Sequence, residues 1–212
     1  MDPKHFTTSF NIEDTAVVLI DHQIGTCSWV HSTDANLLEK NVKILSTFAT
    51  ATKMPLVLTS SMETNVQGLL LGVIQEAAPE AYDKRIKRQG IVNAWDDPAF
   101  AAAVRNTGKK QLIVAGVTTD VCLVPPAFSM QGEGFHIKCV LDAGGSPTTL
   151  AEQISWQRLS QAGIPMTSTN AVVTELIKEC WWARNAGDEE VISIFLEKFD
   201  EATIIEAVWE FD

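Results

Sequence analysis

Short, continuously apolar runs alternate with longer stretches whose apolar residues recur at helical spacing. Ala16-Val17-Val18-Leu19-Ile20 is apolar throughout and stops at Asp21. From Asn36 to Lys53, residues Leu37, Leu38, Val42, Leu45 and Phe48 share one helical face. Pro55 to Leu58 is a second apolar run, closed by Thr59-Ser60-Ser61, and Gly68 to Ala78 reads as a helix. Arg85 to Arg88 is a short strand. Pro98 to Asn106 is a helix that starts behind Asp96-Asp97 and stops at Thr107-Gly108. Gln111 to Val117 is another buried strand. Asp120 to Gln131 is a helix in which Pro125 and Pro126 kink the axis or tighten its start. His136 to Leu141 is a strand, Thr148 to Ala162 a helix, and Ile164 to Met166 a last short strand. Apolar strands separated by helices of this length mark βαβ units and a parallel sheet. The fold class predicted is α/β: a three-layer sandwich with a six-stranded, mostly parallel sheet and helices on both faces.

Residues 1–185 form one domain on this pattern, with no repeat and no low-complexity linker. Residues 186–212 read as a C-terminal helical extension. Ile192, Phe195, Leu196, Phe199, Ile204, Ile205, Val208 and Trp209 are too many apolar groups for a free tail. They are expected to pack on the body or on a neighbouring subunit. Composition narrows the partners. The 212 residues carry 16 Lys+Arg against 27 Asp+Glu, a formal charge of −11. Such a chain has no broad basic face for phosphates, so nucleic acid and anionic membranes are not expected partners. No run is long enough to cross a bilayer, and Met1 to Phe10 has no secretory pattern. A cytoplasmic, reducing compartment is expected, where the four cysteines are free thiols.

Ligands of open parallel sheets bind beyond the C-terminal strand ends, so the polar residues that close each run are the candidates. The first strand ends at Asp21, the third near Lys87-Arg88, and the fourth runs into Gly116-Val117-Thr118-Thr119-Asp120-Val121-Cys122. Cys122 opens a helix, where free amides and the helix dipole are expected to lower a thiol's pKa. Its bland alternative is a helix packing residue. For Asp21 it is a turn residue, gaining significance only if its strand neighbours the fourth. Cys27, Cys139 and Cys180 keep a core reading. His22 is one residue out of phase with Asp21 and is expected to point elsewhere. Trp95 is either a core residue or an apolar pocket wall. No dinucleotide or P-loop glycine pattern occurs, and no Cys/His spacing suits zinc.

Four segments carry a resemblance: Val17-Val18-Leu19-Ile20-Asp21, Arg88-Gln89-Gly90-Ile91-Val92-Asn93-Ala94-Trp95-Asp96, Gly116-Val117-Thr118-Thr119-Asp120-Val121-Cys122 and Ser155-Trp156-Gln157-Arg158-Leu159-Ser160-Gln161-Ala162-Gly163. In this order they resemble the isochorismatase-like cysteine hydrolases, in the YcaC-related branch. The resemblance implies a six-stranded Rossmann-type sheet and an Asp–Lys–Cys triad. Asp21 would be the general base and Cys122 the nucleophile. Alignment on Asn93 to Asp96 puts Arg88 in the Lys position; Lys87 is one register step away and Lys84 further off. The resemblance also implies a cis peptide at Val117–Thr118, turning the Val121 and Cys122 amides toward a substrate oxyanion. Gln23, Asn93 and Trp95 are the implied pocket residues. The segment Thr59 to Thr64 has no metal-ligating cluster, so no metal and no cofactor are expected. A homo-oligomer, tetramer or octamer, is implied. The activity implied is cleavage of a carbon–nitrogen bond in a small amide through a Cys thioester. The rivals are a non-catalytic small-molecule binder or scaffold of this fold, and a redox-sensing thiol with Cys27 as resolving partner.

Overall fold

The computed structural model describes residues 9–177; Cys180 and the expected extension over 186–212 lie outside them. The strands are β1 (Thr15–Ile20), β2 (Leu56–Ser61), β3 (Ile86–Arg88), β4 (Gln111–Gly116), β5 (His136–Val140) and β6 (Met166–Thr167). They form one six-stranded sheet in the order β3-β2-β1-β4-β5-β6, with every pairing parallel. The helices are α1 (Ile24–Ser28), α2 (Ala35–Ala51), α3 (Gly72–Ala77), α4 (Pro79–Asp83), α5 (Pro98–Asn106), α6 (Val124–Gly132), α7 (Thr149–Gln161) and α8 (Thr169–Ile177).

The two central strands, β1 and β4, are buried along their whole length. Successive strand residues face opposite sides, so each strand feeds two cores. Val17 and Leu19 of β1 join Ile113 and Ala115 of β4 under α2 and α8, against Leu38, Val42, Phe48 and Val172. Ala16, Val18 and Ile20 join Leu112 and Val114 on the other face, under Phe100 and Val104 of α5, Met130 of α6 and Leu159 of α7. Each fully buried aliphatic or aromatic side chain contributes about 1.5–3 kcal/mol. A strand with water on neither face has no polar alternation, which explains the continuous apolar runs.

Helix ends follow local chemistry. Asp34 caps α2 by accepting from Leu37 N at 2.9 Å. Asp97 caps α5 through Ala99 N and Phe100 N, and Thr148 caps α7 through Ala151 N. The prolines Pro125 and Pro126 sit in the first turn of α6, where no intrahelical N–H is needed. The helix expected over 68–78 is helical only from Gly72 to Ala77. Upstream, Leu70 bridges Gln23 and the Leu71 amide donates to the His22 carbonyl, which holds this segment extended. A separate helix, α4, then starts at Pro79. The last strand falls at Met166–Thr167, because Pro165 has no N–H to give the ladder. Among the described residues, no helix is long and apolar enough to cross a membrane.

His22 follows β1 and is fully buried, its Nε2–H donating to the Ala143 carbonyl at 2.7 Å. Burial pulls its pKa down to about 4, with the Ala143 contact opposing. The native state therefore keeps His22 neutral, while the unfolded chain protonates it below about pH 6.5. This stability is fully present above that pH and is lost as pH falls toward 4. Urea unfolding followed from pH 7 to pH 4 should lose about 3 kcal/mol more for the wild-type chain than for His22→Gln. Parallel pH curves would remove His22 as the cause.

Candidate active site

The chain crosses from one side of the sheet to the other between β1 and β4, the switch point where α/β proteins bind ligands. Three predicted residues meet there from three different strand ends. Asp21 ends β1 with φ of +59°, a left-handed conformation that Asp tolerates better than most residues. Its amide donates to the Thr59 carbonyl at 2.9 Å, which keeps Asp21 attached to the sheet as the strand stops. Its side chain is almost fully enclosed.

Arg88 ends β3, paired with Ser61 of β2. Its guanidinium passes β2 to reach Asp21 Oδ2, while Nε donates to Thr59 Oγ1 at 3.0 Å and Nη1 to the Ile91 carbonyl. The Arg88 side chain is 0% exposed. Lys87 projects to the opposite side, is 55% exposed, and lies 3.7 Å from Glu63. Lys84 is also at the surface, beside Glu80. The one-residue alternation of a strand thus gives the position beside Asp21 to Arg88.

Cys122 sits in a single π-turn, Thr119–Leu123, between β4 and α6. Gly116 makes room for that turn, since a Cβ there would lie 3.3 Å from the backbone of Cys122 and Leu123. The Val117–Thr118 bond is cis. The expected use of the Val121 and Cys122 amides is corrected by their hydrogen bonds. Cys122 N donates to the Thr118 carbonyl at 2.7 Å and Val121 N to the same oxygen at 3.3 Å. A turn that closes on its own carbonyl leaves neither amide for an oxyanion.

The electrostatics correct a second expectation. Burial above all, and then the Asp21 carboxylate, push the Cys122 thiol well above its ordinary range; a Thr118 backbone hydrogen bond and Arg88 oppose them. The turn-start amides cannot offset this because they are already used. Burial also raises the Asp21 pKa, with Arg88 and then Cys122 pulling it down. The resting site is therefore a neutral thiol beside a carboxylate whose charge Arg88 balances. The Asp21 carboxylate is hydrogen-bonded to the Cys122 thiol, and Oδ1 is the oxygen that Arg88 does not take. It is the oxygen left to receive a proton.

These groups lie in a cavity of about 180 Å³, whose apolar wall comes from Trp29, Ile91, Val92 and Val121. That is well below the roughly 300–1,000 Å³ of pockets for drug-sized ligands. Gln23 lines it, but its amide is spent as a brace: Nε2 donates to the Ser61 and Gly68 carbonyls, and Oε1 accepts from Ser61 N at 2.8 Å. Asn93 and Trp95 lie elsewhere, contrary to expectation. A 3-10 turn over Ala94–Asp96 carries them under α5 and α6. Asn93 accepts from Trp95 N and donates to Ser129 Oγ at 3.1 Å, and Trp95 packs edge-on to Phe100 and Phe135. Residues the sequence reasoning missed are Thr26, Trp29, Gln67, Ile91 and Val92. Ile91 and Val92 stand within a motif already singled out; the others sit on loops and α1, without periodicity to mark them.

Cys27 lines a different cavity, with Leu38 and Leu71, and burial and then Glu39 push its pKa up to about 12. It does not share the Cys122 cavity. Cys139 is fully buried. Among the described residues, no group of His, Cys, Asp or Glu could hold a metal ion.

A six-stranded parallel sheet with this carboxylate and thiol at its switch point defines a class. The chain belongs to the isochorismatase family: the family model for the isochorismatase domain matches residues 15–171. Within that family of hydrolases it is similar to the probable hydrolase YcaC of Escherichia coli K12, 40% identical over 166 residues, spanning 78% of this chain and 79% of the relative. The fold is similar to YcaC from Pseudomonas aeruginosa, with TM-score 0.82 and 34% identity over 95% of this chain and 98% of that one. It is likewise similar to the crystal structure of E. coli YcaC, an octameric hydrolase of unknown specificity, with TM-score 0.81 and 35% identity over 95% and 96% of the two chains.

Removing one partner of a buried ion pair strands the other. Arg88→Met should cost about 3–5 kcal/mol in urea unfolding, and adding Asp21→Leu should recover a large part of it. A single variant as stable as wild type would show that the pair is dispensable to the fold.

Proposed function

We propose that the chain hydrolyses the carbon–nitrogen bond of a small, uncharged amide, with Cys122 as nucleophile, Asp21 as general base and Arg88 as a fixed counter-charge. The observation that carries this is the buried Asp21 carboxylate hydrogen-bonded to the Cys122 thiol, in a half-open cavity of about 180 Å³. Cys122 Sγ attacks the carbonyl carbon as its proton passes to Asp21. The carbon–nitrogen bond then breaks while Asp21 returns that proton to the departing nitrogen, leaving a thioester on Sγ. Water attacks the thioester, Asp21 takes one of its protons, and the acid leaves as the thiol is reprotonated. Arg88 holds Asp21 charged and oriented but donates no proton, since a guanidinium stays protonated throughout. A Thr118 backbone hydrogen bond to Sγ favours the anionic form of the nucleophile. The similar P. aeruginosa YcaC is described with covalent acrylamide, an electrophile, which supports a nucleophilic group in this fold.

A non-catalytic binder of the same fold is the second reading, favoured by the upward push on the Cys122 thiol. Turnover separates the two. A panel of small aliphatic and aromatic amides should be hydrolysed by wild type and not by Cys122→Ala. Asp21→Asn should lose about 10²- to 10⁴-fold in kcat. Activity should fall on the acid side, with a midpoint above the usual carboxylate value of about 3.9, because the base must be charged and its pKa is raised. An Ala variant that keeps the wild-type rate would sink the assignment.

We also propose a homo-oligomer, tetramer or octamer. The similar E. coli YcaC is octameric, and the cavity is lined in part by exposed Trp29, Ile91, Val92 and Val121. Light scattering on the full 23.2 kDa chain should give a multiple of that mass. A monomer at micromolar concentration would contradict it.

A further inference from the structure

The polar atoms of the cavity wall fall into two groups. One group is already occupied: the Gln23 amide by Ser61 and Gly68, and the Arg88 guanidinium by Asp21, Thr59 and Ile91. The other has no partner among the described residues. It includes Thr26 Oγ1 and Gln67 Oε1, both enclosed from solvent and both on residues lining the cavity. Thr26 as a whole is 4% exposed. Buried polar atoms without a partner are uncommon and costly, and two here stand side by side in the chain fold.

Their proximity is built. The Gly25 amide donates to the Gln67 carbonyl at 2.8 Å, and Ile24 N donates to the Leu69 carbonyl at 2.9 Å. The 66–67 backbone lies so close over Gly25 that a Cβ there would fall 1.8 Å from the Val66 carbonyl oxygen. Gln67 is thereby fixed against the start of α1, next to Thr26. Gln67 Oε1 can only accept. Thr26 Oγ1 can accept while its own proton goes elsewhere. Both oxygens can therefore accept, and Gln67 Oε1 has no proton to give. A ligand that completes them must donate N–H, and a carboxylate would meet acceptor against acceptor.

We infer that Gln67 Oε1 and Thr26 Oγ1 form an N–H-accepting subsite that selects uncharged primary amides over ketones and carboxylic acids of the same shape. This rests on the amide hydrolase reading and names the group that the cavity recognises. It also eases product release: the acid product has lost the N–H donors that held the substrate.

The test uses three isosteres on the full-length Cys122→Ala chain, so that binding is read without turnover: isobutyramide, methyl isopropyl ketone and isobutyrate. Ligand-observed NMR titration should show isobutyramide binding about tenfold tighter than the ketone, with isobutyrate weakest. Adding Gln67→Met or Thr26→Val should remove most of that preference while leaving ketone affinity unchanged. Because neither atom has a protein partner, both variants should melt at or above the parent temperature. Equal affinity for amide and ketone, no amide binding, or a preference untouched by both variants would overturn the subsite. Amide binding that responds to these variants, with no hydrolysis by wild type, would retain the subsite and remove the hydrolase reading. Hydrolysis by wild type with a preference untouched by either variant would do the reverse.

Discussion

The buried pair of Asp21 and Arg88 is the constraint on which the site depends. Enclosing two opposite charges costs several kcal/mol per ion, offset only when geometry and hydrogen bonding are complete. Arg88 meets that demand with a fork: one arm on Asp21, Nε on Thr59 and another arm on the Ile91 carbonyl. The same fork ties β3 to β1 across β2 and fixes the loop that carries Ile91 and Val92 into the cavity wall. An ammonium in this position would be a point charge on a flexible stem and could not span these three acceptors in the same way. One carboxylate oxygen is consumed by the pair. The other is therefore the only part of Asp21 left for chemistry.

This division has a consequence for the Cys122 thiol. Burial and then Asp21 raise its pKa, and Arg88, already neutralised by Asp21, opposes them less. Cys122 is thus kept as a thiol. A resting thiol oxidises and alkylates slowly compared with a low-pKa thiolate. The burial that makes the group quiet also makes its Coulomb coupling to Asp21 strong, because both sit in a low-dielectric floor.

The strands were legible from the sequence because β1 and β4 are buried on both faces and so read as unbroken apolar runs. The helix starts at Pro98 and Thr149 were legible because Asp97 and Thr148 announce them. Asp21 and Cys122 were readable as strand-end residues, while the choice between Arg88 and Lys87 stayed open until the strand's alternation set Arg88 beside Asp21. What did not follow was set by side-chain orientation and local hydrogen bonding. The single-turn α1 and the segment before α3 are held by tertiary contacts, such as Leu71 N to the His22 carbonyl, that leave no periodic trace. Asn93 and Trp95 share a motif with Arg88, yet one 3-10 turn separates them from the cavity. The amides of Val121 and Cys122 were expected to be free, and the Thr118 carbonyl takes both.

The strand order carries a further consequence for biogenesis. β1 occupies the middle of the sheet although it comes first in the chain, and its β4 partner follows far behind: Thr15 pairs with Gln111, 96 residues later. While a ribosome is still making the first half, β1 has β2 and β3 on one flank and a bare, wholly apolar edge on the other. That edge is sealed only after β4 emerges, and Cys122 arrives a few residues behind it. Asp21 and Arg88 can already meet in the earlier half, but Cys122 reaches them only with the closing of the sheet. Unsealed strand edges invite intermolecular pairing, and contacts this distant in sequence form slowly. The interval between synthesis of residues 20 and 120 is therefore when a nascent chain most needs shielding from its neighbours.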